Sequence, residues 1–238
     1  MNILLNQMMA QANPSQVEGL MRFFKCGPGQ YGEGDLFLGI KVPATRQVVK
    51  TLWNQCSMDE LQECIASPYH EIRLSALLVL IELFRHAKKD PATQETYVNF
   101  YLSNTQHINN WDLVDLSCYP LLGEWLLDKD RSLLYHLASD GKTLWEQRIG
   151  IVSTMQFIRK GQLDDTYAIA EIFLSKPQPL HDLLQKAAGW LLREAGKRDP
   201  NRLRQFVENH ATTMPRTMLR YAIEKFPEPE RKALMAIR

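Results

Sequence analysis

Trp111 and Asp115 stand four residues apart in the segment Asn109-Asn110-Trp111-Asp112-Leu113-Val114-Asp115. On a helix that spacing projects an indole face and a carboxylate side by side from one surface. The pairing recurs with the opposite charge, since Trp145 and Arg148 are i and i+3, as are Trp190 and Arg193. Such surfaces suit a cationic, electron-poor ligand close to a phosphate: ring faces attract cations by roughly 0.5–2 kcal/mol each, and arginine grips phosphate oxygens. A single tryptophan is more often a core or groove-filling aromatic, which is the reading for Trp53 and Trp125, each set among leucines. The repeated charged neighbour sets Trp111, Trp145 and Trp190 apart.

Other patterns offer less chemistry. Gly27-Pro28-Gly29-Gln30-Tyr31-Gly32 matches the spacing of a dinucleotide-binding turn. That motif needs a strand before it and a helix after it, whereas here a helix precedes and an extended Glu33-Gly34-Asp35-Leu36-Phe37 segment follows. A mobile or tightly turned connector over 26–36 is the expectation. Cys26, Cys56, Cys64 and Cys118 form no C-x-x-C pair and no zinc-type cluster, so reduced thiols and no metal are expected. The six histidines show no consistent acidic or nucleophilic partner in sequence, and none is assigned to catalysis.

The elements that must carry these residues are helices. Apolar residues recur with helical period nearly everywhere after residue 43, and no two β-runs are joined by a hairpin signal. Helices are expected over 2–12, 15–25, 43–54, 58–66, 69–88, 91–103, 110–126, 130–139, 143–160, 164–175, 180–196, 199–208 and 214–226. Pro43, Pro91, Pro200 and Pro215 suit first turns. Segments 70–83, 144–157, 181–194 and 217–228 align so that Arg73, Arg148, Lys186 and Arg220 fall in one column, separated by 75, 38 and 34 residues. Those intervals are about two, one and one repeats of a HEAT-type helix pair. The architecture expected is all-α: a single HEAT-like repeat solenoid spanning 1–238. The column would make a ladder of positive charge along it, a track for backbone phosphates, the alternative being solvated residues at helix edges.

Composition sets the outer bounds. The 238 residues are 45% hydrophobic and 23% charged, with 12 Gly and 12 Pro, as in folded globular proteins and unlike disordered chains. A net charge of +1 removes any argument from bulk basicity, so a polyanion site must be local. Residues 71–140 hold 6 basic and 10 acidic side chains, and residues 141–238 hold 17 and 11, so the C-terminal part can present a positive face. The N-terminus lacks a secretory pattern, and the most apolar stretch, Leu74 to Phe84, is too short to span a bilayer and contains Glu82. A cytoplasmic location, without membrane insertion, is expected.

Taken together, these residues resemble the bacterial AlkD-type DNA alkylation repair proteins, HEAT-like-repeat glycosylases that release positively charged N3- and N7-alkylated purines. The similarity runs through nearly the whole chain. It is carried by Leu36-Phe37-Leu38-Gly39-Ile40 followed by Pro43 and Arg46, by Trp111-Asp112-x-x-Asp115, by Trp145-x-Gln147-Arg148, and by Gly189-Trp190-Leu191-Leu192-Arg193-Glu194. The resemblance implies that Asp115 is the catalytic aspartate, that Trp111 and Trp190 contact sugar and base, and that Arg148 is the active-site arginine. It makes Arg193 a DNA-contacting arginine and places Phe23 where the best-known members have tyrosine. Lys186 and Arg220, from the basic column, join these as expected DNA contacts. The glycine-rich 26–35 segment looks like an insertion relative to the family, and substrate range is the property that it and Phe23 bear on.

The activity implied is monofunctional hydrolysis of the N-glycosidic bond in alkylated duplex DNA, by a monomer without cofactor. Two alternatives stand beside it: a relative that binds damaged or branched DNA without excision, and a HEAT-type protein-interaction scaffold. The combination of Trp111, Asp115, Arg148 and Trp190 favours catalysis over the first, and the basic column favours DNA over the second.

Overall fold

The computed structural model describes residues 2–237. The fold is all-helical; among the described residues the only β-type pairing is an isolated parallel bridge between Leu36 and Tyr69. The chain divides into two compact units, Met1–Ser117 and Cys118–Arg238.

In the first unit α1 (Ile3–Met9), α2 (Pro14–Phe23), α3 (Val42–Leu52), α4 (Met58–Ile65), α5 (His70–His86), α6 (Pro91–Ser103) and all but the last residue of α7 (Trp111–Cys118) follow one another. Local chemistry starts them. Asn2, Asn13 and Asp90 accept backbone N–H bonds of the first turns of α1, α2 and α6, and Ser57 with Glu60 forms a reciprocal capping box on α4. Helix α5 is the centre: every residue from His70 to Ile81 is buried, and α1, α3, α4 and α6 pack around it. A helix without a polar face can persist in water only if its neighbours cover it on all sides.

The second unit comprises α8 (Ser132–Asp140), α9 (Leu144–Val152), α10 (Met155–Arg159), α11 (Asp164–Leu174), α12 (Asp182–Gly196), α13 (Pro200–His210), α14 (Arg216–Ala222) and α15 (Glu228–Ala236). Here α12 is central, packed by α9, α10, α11, α13 and α14. Its crossing with α14 is close because Gly189 has no side chain: a Cβ there would lie 2.5 Å from the Met218 carbonyl oxygen and from Tyr221 Cβ.

Three expected elements differ. The helix over 110–126 ends at Cys118 and continues as a wide π-type turn over Tyr119–Gly123, where Pro120 lacks the N–H that a regular turn needs. The helix over 143–160 breaks between α9 and α10 at Ser153 and Thr154, where the Thr154 hydroxyl bonds back to the Ile151 carbonyl. Helix α15 is additional: Pro227 and Pro229 flank its first residue, with Glu228 and Glu230 in the first turn.

The glycine-rich connector is tightly turned. Lys25, Gly29 and Gly34 adopt positive φ, the Gly32 N–H donates to the Lys25 carbonyl at 3.0 Å, and the side chains of Gln30 and Glu33 accept from Gly27 and Gly29. Beyond it, Gly39 has φ +84°, and a Cβ would fall 1.9 Å from the Asn13 carbonyl oxygen. Gly39→Ala is therefore expected to destabilise the protein by roughly 2–4 kcal/mol, combining left-handed strain with a backbone clash. Gly29→Ala, at φ +73° but with nothing within 4 Å, should cost only about 1–2 kcal/mol. Urea unfolding of the two variants checks the difference.

Candidate functional site

Helix α7 begins at Trp111, directly after two asparagines with fixed roles. Buried Asn110 accepts the Trp111 N–H at 2.8 Å, and Asn109 donates to Asp35 at 2.9 Å and accepts from Arg73 at 3.0 Å. One turn along, Asp115 is half-buried, as is Trp111, so indole and carboxylate share a partly solvent-facing side of α7. Phe24 stacks on the Trp111 ring at 5.6 Å, and Phe23 meets it edge-on at 5.7 Å. Phe23 itself is 60% exposed, the most open large apolar side chain among the described residues. These contacts belong to a cluster built on Phe24, Cys26 and Phe37, against which Val17, Leu20 and Met21 of α2 also pack.

Beneath this face lies an ion network whose pairings no residue spacing reveals. His70, the first residue of α5, is 1% exposed. Its Nε2 stands 2.9 Å from Asp112 Oδ2 in the first turn of α7, and its Nδ1 stands 3.3 Å from Asp35 Oδ2 at the end of the connector. Arg73 donates to Asp35 at 2.8 Å and to the Ser67 carbonyl at 2.8 Å. Phe37 and Phe24 lie over the imidazole at 4.8 and 4.6 Å. Burial opposes a charged ring, but the two carboxylates outweigh it and hold the His70 pKa above the ordinary imidazole value. Burial likewise opposes an ionised Asp35, and the His70 hydrogen bond with the Arg73 charge overcomes it, lowering that pKa. Next to His70, buried Glu71 accepts the backbone N–H groups of Leu38, Gly39 and Ile40 at 2.9–3.0 Å.

The basic column is corrected by these contacts. Arg73 is 4% and Arg148 5% exposed, so neither stands on an open charged track. Arg73 serves Asp35, and Arg148 on α9 donates to the Leu183 carbonyl on α12 at 2.5 Å. Lys186 is partly exposed and pairs with Asp182 at 2.6 Å, and Arg220 is exposed. Trp190 is half-buried on α12, whereas Trp145 is a core residue of α9. Arg193 is partly buried and engaged by Glu224, just beyond the end of α14. Trp53 stacks on His86, and Trp125 lies under the Lys129 ammonium, so both sit at half-buried positions.

All four cysteines are free thiols, and burial pushes Cys26 and Cys56 up to about 11 and Cys64 to about 12. Among the described residues no group of three His, Cys, Asp or Glu side chains is placed to hold a metal ion, and no helix is long and apolar enough to cross a membrane.

Short helices packed in succession around α5 and around α12 place the chain in the class of all-helical repeat proteins. The model of the DNA alkylation repair enzyme family matches residues 4–226, and the chain belongs to that family. Its fold is similar to that of a predicted DNA alkylation repair enzyme from Enterococcus faecalis, with a TM-score of 0.68 and 17% identity over 92% of this chain and 98% of that one. No curated protein sequence matches it. The family assigns the chain an enzyme's role in the repair of alkylated DNA.

The ion network has a definite pH signature. Because the His70 pKa is raised, its contribution to stability is complete below the ordinary value of 6.5 and is lost as pH rises through the folded value. The Asp35 pKa is lowered, so its contribution is present above 3.8 and is lost as pH falls through the folded value. Urea unfolding should therefore show the full network contribution between these two values and a decline as pH rises above 6.5. His70→Gln should lack that decline and be less stable at pH 6 by about 3–5 kcal/mol, since two buried carboxylates lose their shared partner.

Proposed function

We propose that the protein is an AlkD-type monofunctional glycosylase, a monomer that hydrolyses the N-glycosidic bond of positively charged N3- and N7-alkylated purines in duplex DNA. The observation that carries this reading is the half-exposed face of α7, where Trp111 and Asp115 stand one turn apart beside the exposed ring of Phe23. An alkylated purine already bears a positive charge and departs as a neutral base, so no general acid is needed, in contrast to most glycoside cleavage. One carboxylate suffices. Asp115 stabilises the oxocarbenium-like sugar as the C1′–N bond breaks, then orients the water that adds to C1′ and takes up its proton. Preorganised charge of this kind is worth on the order of 3–4 kcal/mol.

The family resemblance supplies the remaining roles. Trp111 and Trp190 pack on the deoxyribose, Arg148 secures the neighbouring phosphate, and Arg193, Lys186, Arg220 and Phe23 contact the duplex. For Arg193 and Lys186 that role entails exchanging a carboxylate partner, Glu224 or Asp182, for a phosphate. An open aromatic face selects lesions by charge and bond lability, whereas most base-processing enzymes extrude the nucleotide into a fitted pocket.

Incubation with methylated duplex DNA should release 3-methyladenine and 7-methylguanine, and Asp115→Asn should reduce the single-turnover rate by about 10²-fold or more with DNA binding retained. Salt-sensitive DNA binding without base release from the unaltered protein overturns the proposal in favour of a non-excising DNA binder. Absence of DNA binding at low salt leaves only a protein-interaction role.

A further inference from the structure

We propose that His70 is a positioning residue for the reaction at Asp115: by gripping Asp112 in the first turn of α7, it sets the attitude of the face that carries Trp111 and Asp115. The inference rests on the reading of that face as catalytic.

Helix α7 is eight residues long and gives way at once to the π-type turn over Tyr119–Gly123, so length alone does not fix its direction. Its start is fixed instead by side chains on either side of Trp111. Asn109 is tied to Asp35 and Arg73, and Asp112 is tied to His70. Asp35 and Asp112 are buried, and each offers an oxygen to a different ring nitrogen of one imidazole. A neutral ring has a single N–H and can satisfy only one of them. The doubly protonated ring satisfies both, and two cations, His70 and Arg73, then face two carboxylates. Loss of the ring proton turns one contact into a lone-pair opposition and leaves a net negative charge out of water, a state relieved by moving one of the carboxylates. Asp35 is also held by Arg73 and Asn109. Among the described residues Asp112 makes no other long-range hydrogen bond, so α7 is the element that yields.

A second path leads from the same ring to the same residue. Phe24 lies 4.6 Å from the His70 ring and 5.6 Å from Trp111, so a change in the imidazole is felt by an aromatic already in contact with the indole. The remaining titratable groups nearby have other commitments. Glu71 is engaged by three backbone amides, Cys26 is a neutral thiol on the connector side of Asp35, and His107 lies toward Arg73 with its pKa lowered by burial and by that guanidinium.

The test uses protein labelled with 5-fluorotryptophan. The five tryptophans give one fluorine resonance each, and the Trp111 signal is assigned by its loss in Trp111→Phe. Across pH 5–10 the Trp111 resonance should shift with one inflection above 6.5, the ordinary imidazole value. That inflection should vanish in His70→Gln and move to lower pH in Asp112→Asn, which keeps the shape of the side chain and serves if the first variant does not fold. Single-turnover release of 7-methylguanine should fall over the same pH range in the unaltered protein. In His70→Gln it should be about 10- to 100-fold slower at pH 6, with DNA affinity retained, as for other changes that misplace a reacting group through its support. A Trp111 resonance that ignores pH, or inflects alike with and without His70 and Asp112, overturns the proposal, as does a full release rate in a folded His70→Gln protein. An inflection governed by His70 in a protein that releases no base supports His70 control of the face and refutes the glycosylase reading instead.

Discussion

An imidazole held between two buried carboxylates is the constraint on which the first unit depends. Asp35 and Asp112 come from segments far apart in sequence, and each would cost several kcal/mol to bury unpaired. His70 and Arg73 make that burial possible, and in doing so they bind the connector and α7 to the N-terminal end of α5. Glu71 completes the arrangement by collecting three amides from 38–40, the backbone that Gly39 allows to pass against the Asn13 carbonyl. The irregular chain over 35–40 and the start of α7 are thus ordered by side chains in a single helical turn. The tryptophan and aspartate that face solvent on α7 inherit their placement from this buried chemistry.

In the second unit the excess of basic residues is largely committed within the protein. Arg148 caps a carbonyl at the start of α12, Arg193 and Lys186 have carboxylate partners, Arg131 bridges Asp165 and also lies over Phe157, and Arg202 and Arg204 pair with Asp164 and Glu230. Many of these pairs are exposed, where ion pairs contribute about 0–1 kcal/mol. They are therefore inexpensive to exchange for phosphate contacts. Arg148 differs, because it is buried and donates to the Leu183 carbonyl.

The all-helical class and the shared face of Trp111 and Asp115 were legible because both follow from helical periodicity alone. Proline and small polar residues marked most starts correctly for the same local reason. What escaped were features decided by tertiary pairing. Nothing in the spacing of 35, 70 and 112 announces a contact, although one signal was available: His70, Glu71 and Arg73 open a helix with no polar face, and charges there must find internal partners. The same signal would have removed Arg73 from the expected charge ladder. The break at Ser153 and Thr154 depends on a hydroxyl competing for a helix carbonyl, and α15 on prolines that begin a helix as readily as they end one.

Three of the four cysteines are buried and Cys56 is half-buried, which has a consequence for a protein of this family. Electrophiles that methylate purine nitrogens react even faster with thiolates, and a repair protein meets them at the moments when it is needed. With Cys26, Cys56 and Cys64 held at about 11 to 12, almost none of their sulfur carries the anionic, nucleophilic form at neutral pH. Cys118 is fully enclosed. The fold thereby shelters its own most vulnerable atoms from the reagents whose damage it answers.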